Sequence, residues 1–357
     1  MSSLQTQYLK INRAIIHTIL ERQPPNPSGT AELENEMVEL TDYAKKLLII
    51  RIQSAFSKDS KAFELVIKNT ANDSFYGYVS GINEMTNDKF IQQSQEIATL
   101  LAETQTKPKV RGGFLIVIDG YNDLTKKSVA IVIKAEQQEV LKYAQGKVEV
   151  LEKVFLSEAQ KLFKIGVIYE HDTSDGNLSN PNNFKGTLFD DQFYNEKPAE
   201  YFFKDFLGFS IDENDKIQNL RFYNEAENFI KSNIKNYDDQ AEVLSYLKNY
   251  LLNNQHSLVT PSNVATQLFT DPVLLNNFHS NVVQKLPSSF ARNTTLIKSP
   301  LSNRKIDFNN KIKLSGPENK FDNYVKVITN QSELDELDFN NSNYTVVKIM
   351  GKPYHNE

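Results

Sequence analysis

The chain has 357 residues, 40 Lys and Arg against 45 Asp and Glu, a net charge of −5, and neither Cys nor Trp. Without Cys it cannot build a disulfide framework, a thiolate zinc site, an iron–sulfur cluster or a cysteine nucleophile. Its 39% apolar and 11% aromatic residues exclude wholesale disorder, and its length predicts two or three structural units.

The first ten residues carry no basic stretch ahead of an apolar one, so the sequence predicts no signal peptide. The longest apolar runs, Leu47–Ile50, Phe114–Ile118 and Val129–Ile133, fall far short of the roughly 20 residues of a membrane span. A soluble, cytoplasmic protein with no membrane partner is therefore expected. Leu9, Ile11, Ala14 and Ile16 alternate enough to predict a strand or two over residues 7–20, closed by the breaker Pro24-Pro25-Asn26-Pro27. A helix is expected to start near Thr30, because Met37, Leu40, Ala44, Leu47 and Leu48 recur at three- and four-residue steps. A second helix is expected over residues 88–103.

At Gly112-Gly113 the period changes. Phe114–Ile118 and Val129–Ile133 are β-branched runs joined by a polar loop with Asp-Gly and Asn-Asp turn chemistry. They predict an antiparallel pair with both faces covered, since both runs are apolar throughout. Further strands are expected near residues 147–156 and 162–169. From about residue 197 to 285 the pattern is helical. Gly208 reads as a C-cap, and Thr260-Pro261 and Asp271-Pro272 read as helix starts. Short β segments follow Pro287. The fold class is α+β: an N-terminal mixed or antiparallel sheet with packed helices, a helical middle and short C-terminal β segments. The expected divisions are residues 1–190, 191–286 and 287–357.

Charge is unevenly spread. Residues 190–245 hold thirteen acids against six bases, whereas residues 285–313 hold seven bases against Asp307 alone, a net +6. Residues 107–134 carry a net +4. Several cations on one face release counterions from a polyanion, so Arg292, Lys298, Arg304, Lys305, Lys311 and Lys313 are the candidate DNA-binding residues. The opposing reading is that they are solvated edge protection on short strands.

No catalytic motif emerges. The five His have no metal-ligand spacing, and neither G-x-G-x-x-G nor a Walker A pattern is present. Glu170-His171-Asp172 is the most ligand-like triplet, but neighbours in an extended segment point to opposite sides. Asp119 and Lys134 faintly resemble a restriction-type nuclease core, but the second metal-binding carboxylate is missing, Ile133-Lys134 being preceded by Val132. No catalytic residue, metal or cofactor is expected.

Three places resemble the nucleoid-associated protein NdpA family, the 37-kDa nucleoid-associated proteins. They are Ile15-Ile16-His17, Gly112-Gly113-Phe114 and, most distinctively, Tyr201-Phe202-Phe203-Lys204-Asp205-Phe206-Leu207-Gly208, which is similar to the family's F-x-D-F-L-G helix. The resemblance implies a bacterial protein of the cytoplasm and nucleoid, with no established catalytic activity or cofactor. It carries over no DNA-contacting residues. The helix reads as packing, with Phe202, Phe206 and Leu207 on one face and Asp205 as the acceptor of a buried hydrogen bond.

The expected function is a non-enzymatic, nucleoid-associated protein that binds DNA directly or through nucleoid proteins. The alternatives are an adaptor for nucleoid enzymes with little DNA contact, and a degenerate nuclease-like enzyme. Self-association into a homo-oligomer stays open.

Overall fold

A computed structural model of the chain describes residues 4–107, 110–136, 138–144, 147–154, 164–171, 173–178, 180–193, 198–253, 258–307, 313–317, 320–321, 325–328 and 346–349. The chain divides into two compact units, Met1–Asn214 and Asp215–Glu357.

The first unit contains strands β1 (Leu9–Leu20), β2 (Thr30–Glu32), β3 (Ala62–Ile67), β4 (Gly113–Asn122), β5 (Ser128–Ala135), β6 (Gln138–Ala144), β7 (Lys147–Val154), β8 (Lys164–Glu170), β9 (Phe184–Asp190) and β10 (Phe209–Ser210). Its helices are α1 (Asp42–Phe56), α2 (Phe75–Val79) and α3 (Asn87–Thr104). Eight strands form one sheet in the order β10-β3-β9-β8-β5-β4-β1-β2. Every pairing in it is antiparallel. The expected central pair is present, with Phe114 opposite Ala135 and Ile118 opposite Ile131. β6 and β7 form a separate hairpin.

Both sheet faces are covered, as the unbroken apolar runs require. On one face Leu48, Ile52, Ala55 and Phe56 of α1 pack against Ile116, Ile118, Ile131, Ile133 and Val167. The other face meets α3, whose Phe90, Ile97 and Leu101 are buried. A β-bulge at Asn12 lets β1 serve both faces: Ile11 opposes Gly120, but Arg13 already opposes Asp119. The extra residue shifts the side-chain alternation by one. Leu9, Ile11, Ala14 and Ile16 therefore join the α1 core, which leaves Arg13, Ile15, His17 and Ile19 for the α3 side.

The helix expected from Thr30 begins only at Asp42, where the Thr41 side chain accepts from the Ala44 N–H. Thr30–Glu32 instead pairs with Thr18–Leu20. The stretch behind it lies along the free edge of β1, with the Val38 N–H donating to the Ala14 carbonyl at 2.9 Å. Unmet backbone groups of an edge strand outweigh the helical spacing of Met37 and Leu40.

The F-x-D-F-L-G segment forms a π-helical turn, Tyr201–Phe206. The turn buries Phe203 as well as Phe202, Phe206 and Leu207. Asp205 is exposed, so the buried hydrogen bond expected of it is not made. Gly208 does take the left-handed cap conformation, at φ +69°. Its carbonyl accepts from the N–H groups of Lys68 and Asn69.

The second unit holds α4 (Asp215–Asn233), α5 (Tyr237–Asn253), α6 (Pro261–Leu268), α7 (Pro272–Asn281) and α8 (Lys298–Ser302). Its short strands pair as β11 (Leu258–Val259) with β12 (Phe290–Ala291), β13 (Asn303–Asp307) with β14 (Lys313–Pro317), and β15 (Val325–Ile328) with β16 (Val346–Ile349). Phe229, Phe269 and Phe278 form an aromatic cluster with ring centroids 5.1 to 5.7 Å apart. Asp271 caps α7 as expected, accepting from the Val273 and Leu274 N–H groups.

Candidate nucleic-acid interface

Strands β13 and β14 carry three of the six candidate cations, Arg304, Lys305 and Lys313. Lys248 of α5 holds the start of this hairpin, with Nζ donating to the Asn303 carbonyl at 2.9 Å. At the far end of β14, Gly316 lies close to Phe321, where an added Cβ would come within 3.2 Å of the ring. Arg304 opposes Gly316, Lys305 opposes Ser315 and Asp307 opposes Lys313. Ladder partners share a face, so Lys305 occupies the same set of positions as Lys313 and Ser315, both exposed in β14. Arg304 occupies the alternate set. Lys298, exposed, opens α8 just ahead of the hairpin. Lys311 lies outside the described residues.

Arg292 stands apart from this group. It is only 9% exposed, and its guanidinium stacks on the Tyr250 ring at 4.5 Å while donating to the Tyr250 carbonyl. Its charge is spent inside the unit, and the sequence held no signal of the Tyr250 partner.

Most of the second basic segment is neutralised internally. Arg111 pairs with Glu136 at 3.5 Å, Lys126 with Asp123 at 2.5 Å and Lys127 with Glu170 at 2.7 Å. Lys134 is 5% exposed, donates to the Arg111 carbonyl at 2.7 Å and faces the Tyr201 ring. Burial lowers its pKa to about 8, and Lys164 across the ladder adds repulsion. The folded pKa lies below the unfolded one, so the unfolded chain holds more protons between pH 8 and 10.5. Stability is expected to rise by about 3 kcal/mol as pH climbs through that window. Lys134→Met is expected to remove the rise, as measured by urea unfolding at the two ends of the window.

Asp119 and Lys134 do not converge. Asp119 opposes Ala130 and Lys134 opposes Leu115, a separation of four residues or about 13 Å along the ladder. Asp119 is instead locked to Arg13, with Nε to Oδ2 at 2.9 Å. Arg13 also donates to the Ile82 and Met85 carbonyls and to Asn87, and lies over the Phe90 ring. Glu170 accepts from Lys127 and Ser174, and Asp172 lies outside the described residues. Among the described residues no three His, Asp or Glu are placed to hold a metal ion.

A family model described as nucleoid-associated protein YejK matches residues 15–341. No curated protein matches the chain. The match runs from the middle of β1 to beyond β15 and takes in the three segments whose resemblance the sequence showed. The chain therefore belongs to the YejK family of nucleoid-associated proteins, and its place is the nucleoid.

Proposed function

We propose that this nucleoid-associated chain binds DNA directly, through the cations around the β13–β14 hairpin, and performs no chemistry on it. The supporting observation is the net +6 of residues 285–313, where Lys298 and Lys313 are exposed beside the positions of Arg304 and Lys305. Contacts of this kind meet phosphates and carry no base code. The reading of no chemistry is supported by Asp119, the acid singled out by its likeness to a nuclease core, which is committed to Arg13.

Arg304→Ala with Lys305→Ala is expected to weaken binding to every duplex about equally. It is also expected to flatten the dependence of log affinity on log salt by about one to two units. The alternation of the strand favours the lower figure. Fluorescence anisotropy with two unrelated duplexes measures both quantities. Unchanged affinity and slope in the folded double variant would reject the hairpin. Arg292→Ala serves as the control, lowering stability while leaving the slope alone.

A further inference from the structure

Helix α1 is apolar on more sides than the sheet can cover. Its run Leu47-Leu48-Ile49-Ile50 places apolar residues right round the helix, and a helix of that kind is normally enclosed. Leu48, Ile52, Ala55 and Phe56 face the sheet. On the opposite side Tyr43, Leu47 and Ile50 fall at i, i+4 and i+7 and form one stripe. Tyr43 is 76% exposed and Ile50 is 47% exposed, with Leu47 half-buried between them.

Cations border this stripe. At about 100° per residue, Lys46 falls on one side of it and Arg51 on the other. Lys46 is exposed, and Arg51 has a buried Nε with no hydrogen-bond partner. The helix carries Lys45, Lys46 and Arg51 against the single acid Asp42, which lies in its first turn. Lys46 and Arg51 thus put positive charge on both flanks of an uncovered apolar stripe, and one kind of partner, apolar with acidic flanks, matches both features.

We infer that α1 docks an acidic amphipathic helix of another protein, its apolar stripe laid on Tyr43, Leu47 and Ile50 and its carboxylates flanking towards Lys46 and Arg51. Helix-in-groove recognition uses i, i+4 and i+7 anchors of this spacing. The flanking charges set which helix is accepted. The site lies in the first unit and owes nothing to the hairpin, so it stands or falls independently of DNA binding.

The probe is a fluorescently labelled designed helix with a Leu stripe and Glu on both flanks, titrated with the full chain. Its counterpart carries Lys in place of Glu. The Glu-flanked helix is expected to bind and the Lys-flanked one is not. Tyr43→Ala with Ile50→Ala is expected to weaken binding about tenfold or more, as loss of anchor residues does. Lys46→Glu with Arg51→Glu is expected to exchange the preference between the two helices. Circular dichroism and DNA affinity are expected to stay at their unmodified values in both variants. No binding of the Glu-flanked helix would overturn the inference. So would equal binding of both helices, or capture of anionic vesicles or duplex DNA through Tyr43 and Ile50.

Discussion

Asp119→Ala is expected to destabilise the first unit by about 3–5 kcal/mol, the usual consequence of leaving one member of a buried ion pair without the other. The change leaves the Arg13 guanidinium without its carboxylate, with the Ile82 and Met85 carbonyls, Asn87 and the Phe90 ring as its remaining contacts. Those contacts tie β1 to the turn before α3, so the loss is felt in both layers. Burial pushes the Asp119 carboxyl up more strongly than Arg13 pulls it down. The pair therefore contributes placement more than net energy, and Arg13→Met with Asp119→Leu is expected to lose less than either single change. Urea unfolding monitored by circular dichroism reads both. A shift below about 1 kcal/mol for Asp119→Ala would show that the pair does not fasten the two layers.

Acid is expected to unfold the protein through His17. This residue has no solvent exposure; its Nδ1 accepts from the Glu34 N–H at 3.0 Å and its Nε2 meets the Ser94 hydroxyl at 3.0 Å. Ser94 in turn donates to the Ile91 carbonyl, so the neutral ring carries its proton on Nε2. Burial lowers the pKa from 6.5 to about 4. A second proton on the ring would face the Glu34 N–H and break the bond that holds the edge segment to β1. The folded value lies below the unfolded one, so the unfolded chain binds the extra proton first as pH falls. The stability attached to a neutral His17 is complete above pH 6.5 and is lost between 6.5 and about 4. The loss amounts to about 3 kcal/mol. His17→Gln is expected to start less stable at neutral pH and to show a flatter decline. An NMR titration placing His17 at its ordinary value would contradict this.

The centre of the first sheet was legible in the sequence, because the runs Phe114–Ile118 and Val129–Ile133 each map to one strand, whereas β3, β9 and β10 were not expected. The spacing of Leu9, Ile11, Ala14 and Ile16 even contains the bulge, as the one step of three among steps of two. The strand at Thr30–Glu32 was not legible, since its formation depends on a free edge 12 residues away in the chain, where Thr18–Leu20 offers unpaired backbone. The π-helical turn at Tyr201–Phe206 was hidden for a related reason. Its extra residue per turn is set by packing, and an α-helical wheel already places Phe203 between Phe206 and Leu207, so the apolar spacing carries no mark of the wider winding. The candidate interface was legible as charge and not as geometry. Counting found the cations of residues 285–313, but only tertiary contact separates Arg292, stacked on Tyr250, from Lys298 and Lys313 at the surface. The Arg13–Asp119 pair left no sequence signal, its members being 106 residues apart.

Direct contact with DNA is tested most simply on the unmodified full chain, by measuring affinity for a random-sequence duplex across a series of salt concentrations. Four placed cations, Lys298, Arg304, Lys305 and Lys313, set the scale. Log affinity is expected to fall linearly with log salt at a slope of about −2 to −4, since each phosphate neutralised contributes about 0.9. A second duplex of unrelated sequence is expected to give the same line. Absence of binding at low salt, or binding indifferent to salt, would contradict direct recognition by this hairpin.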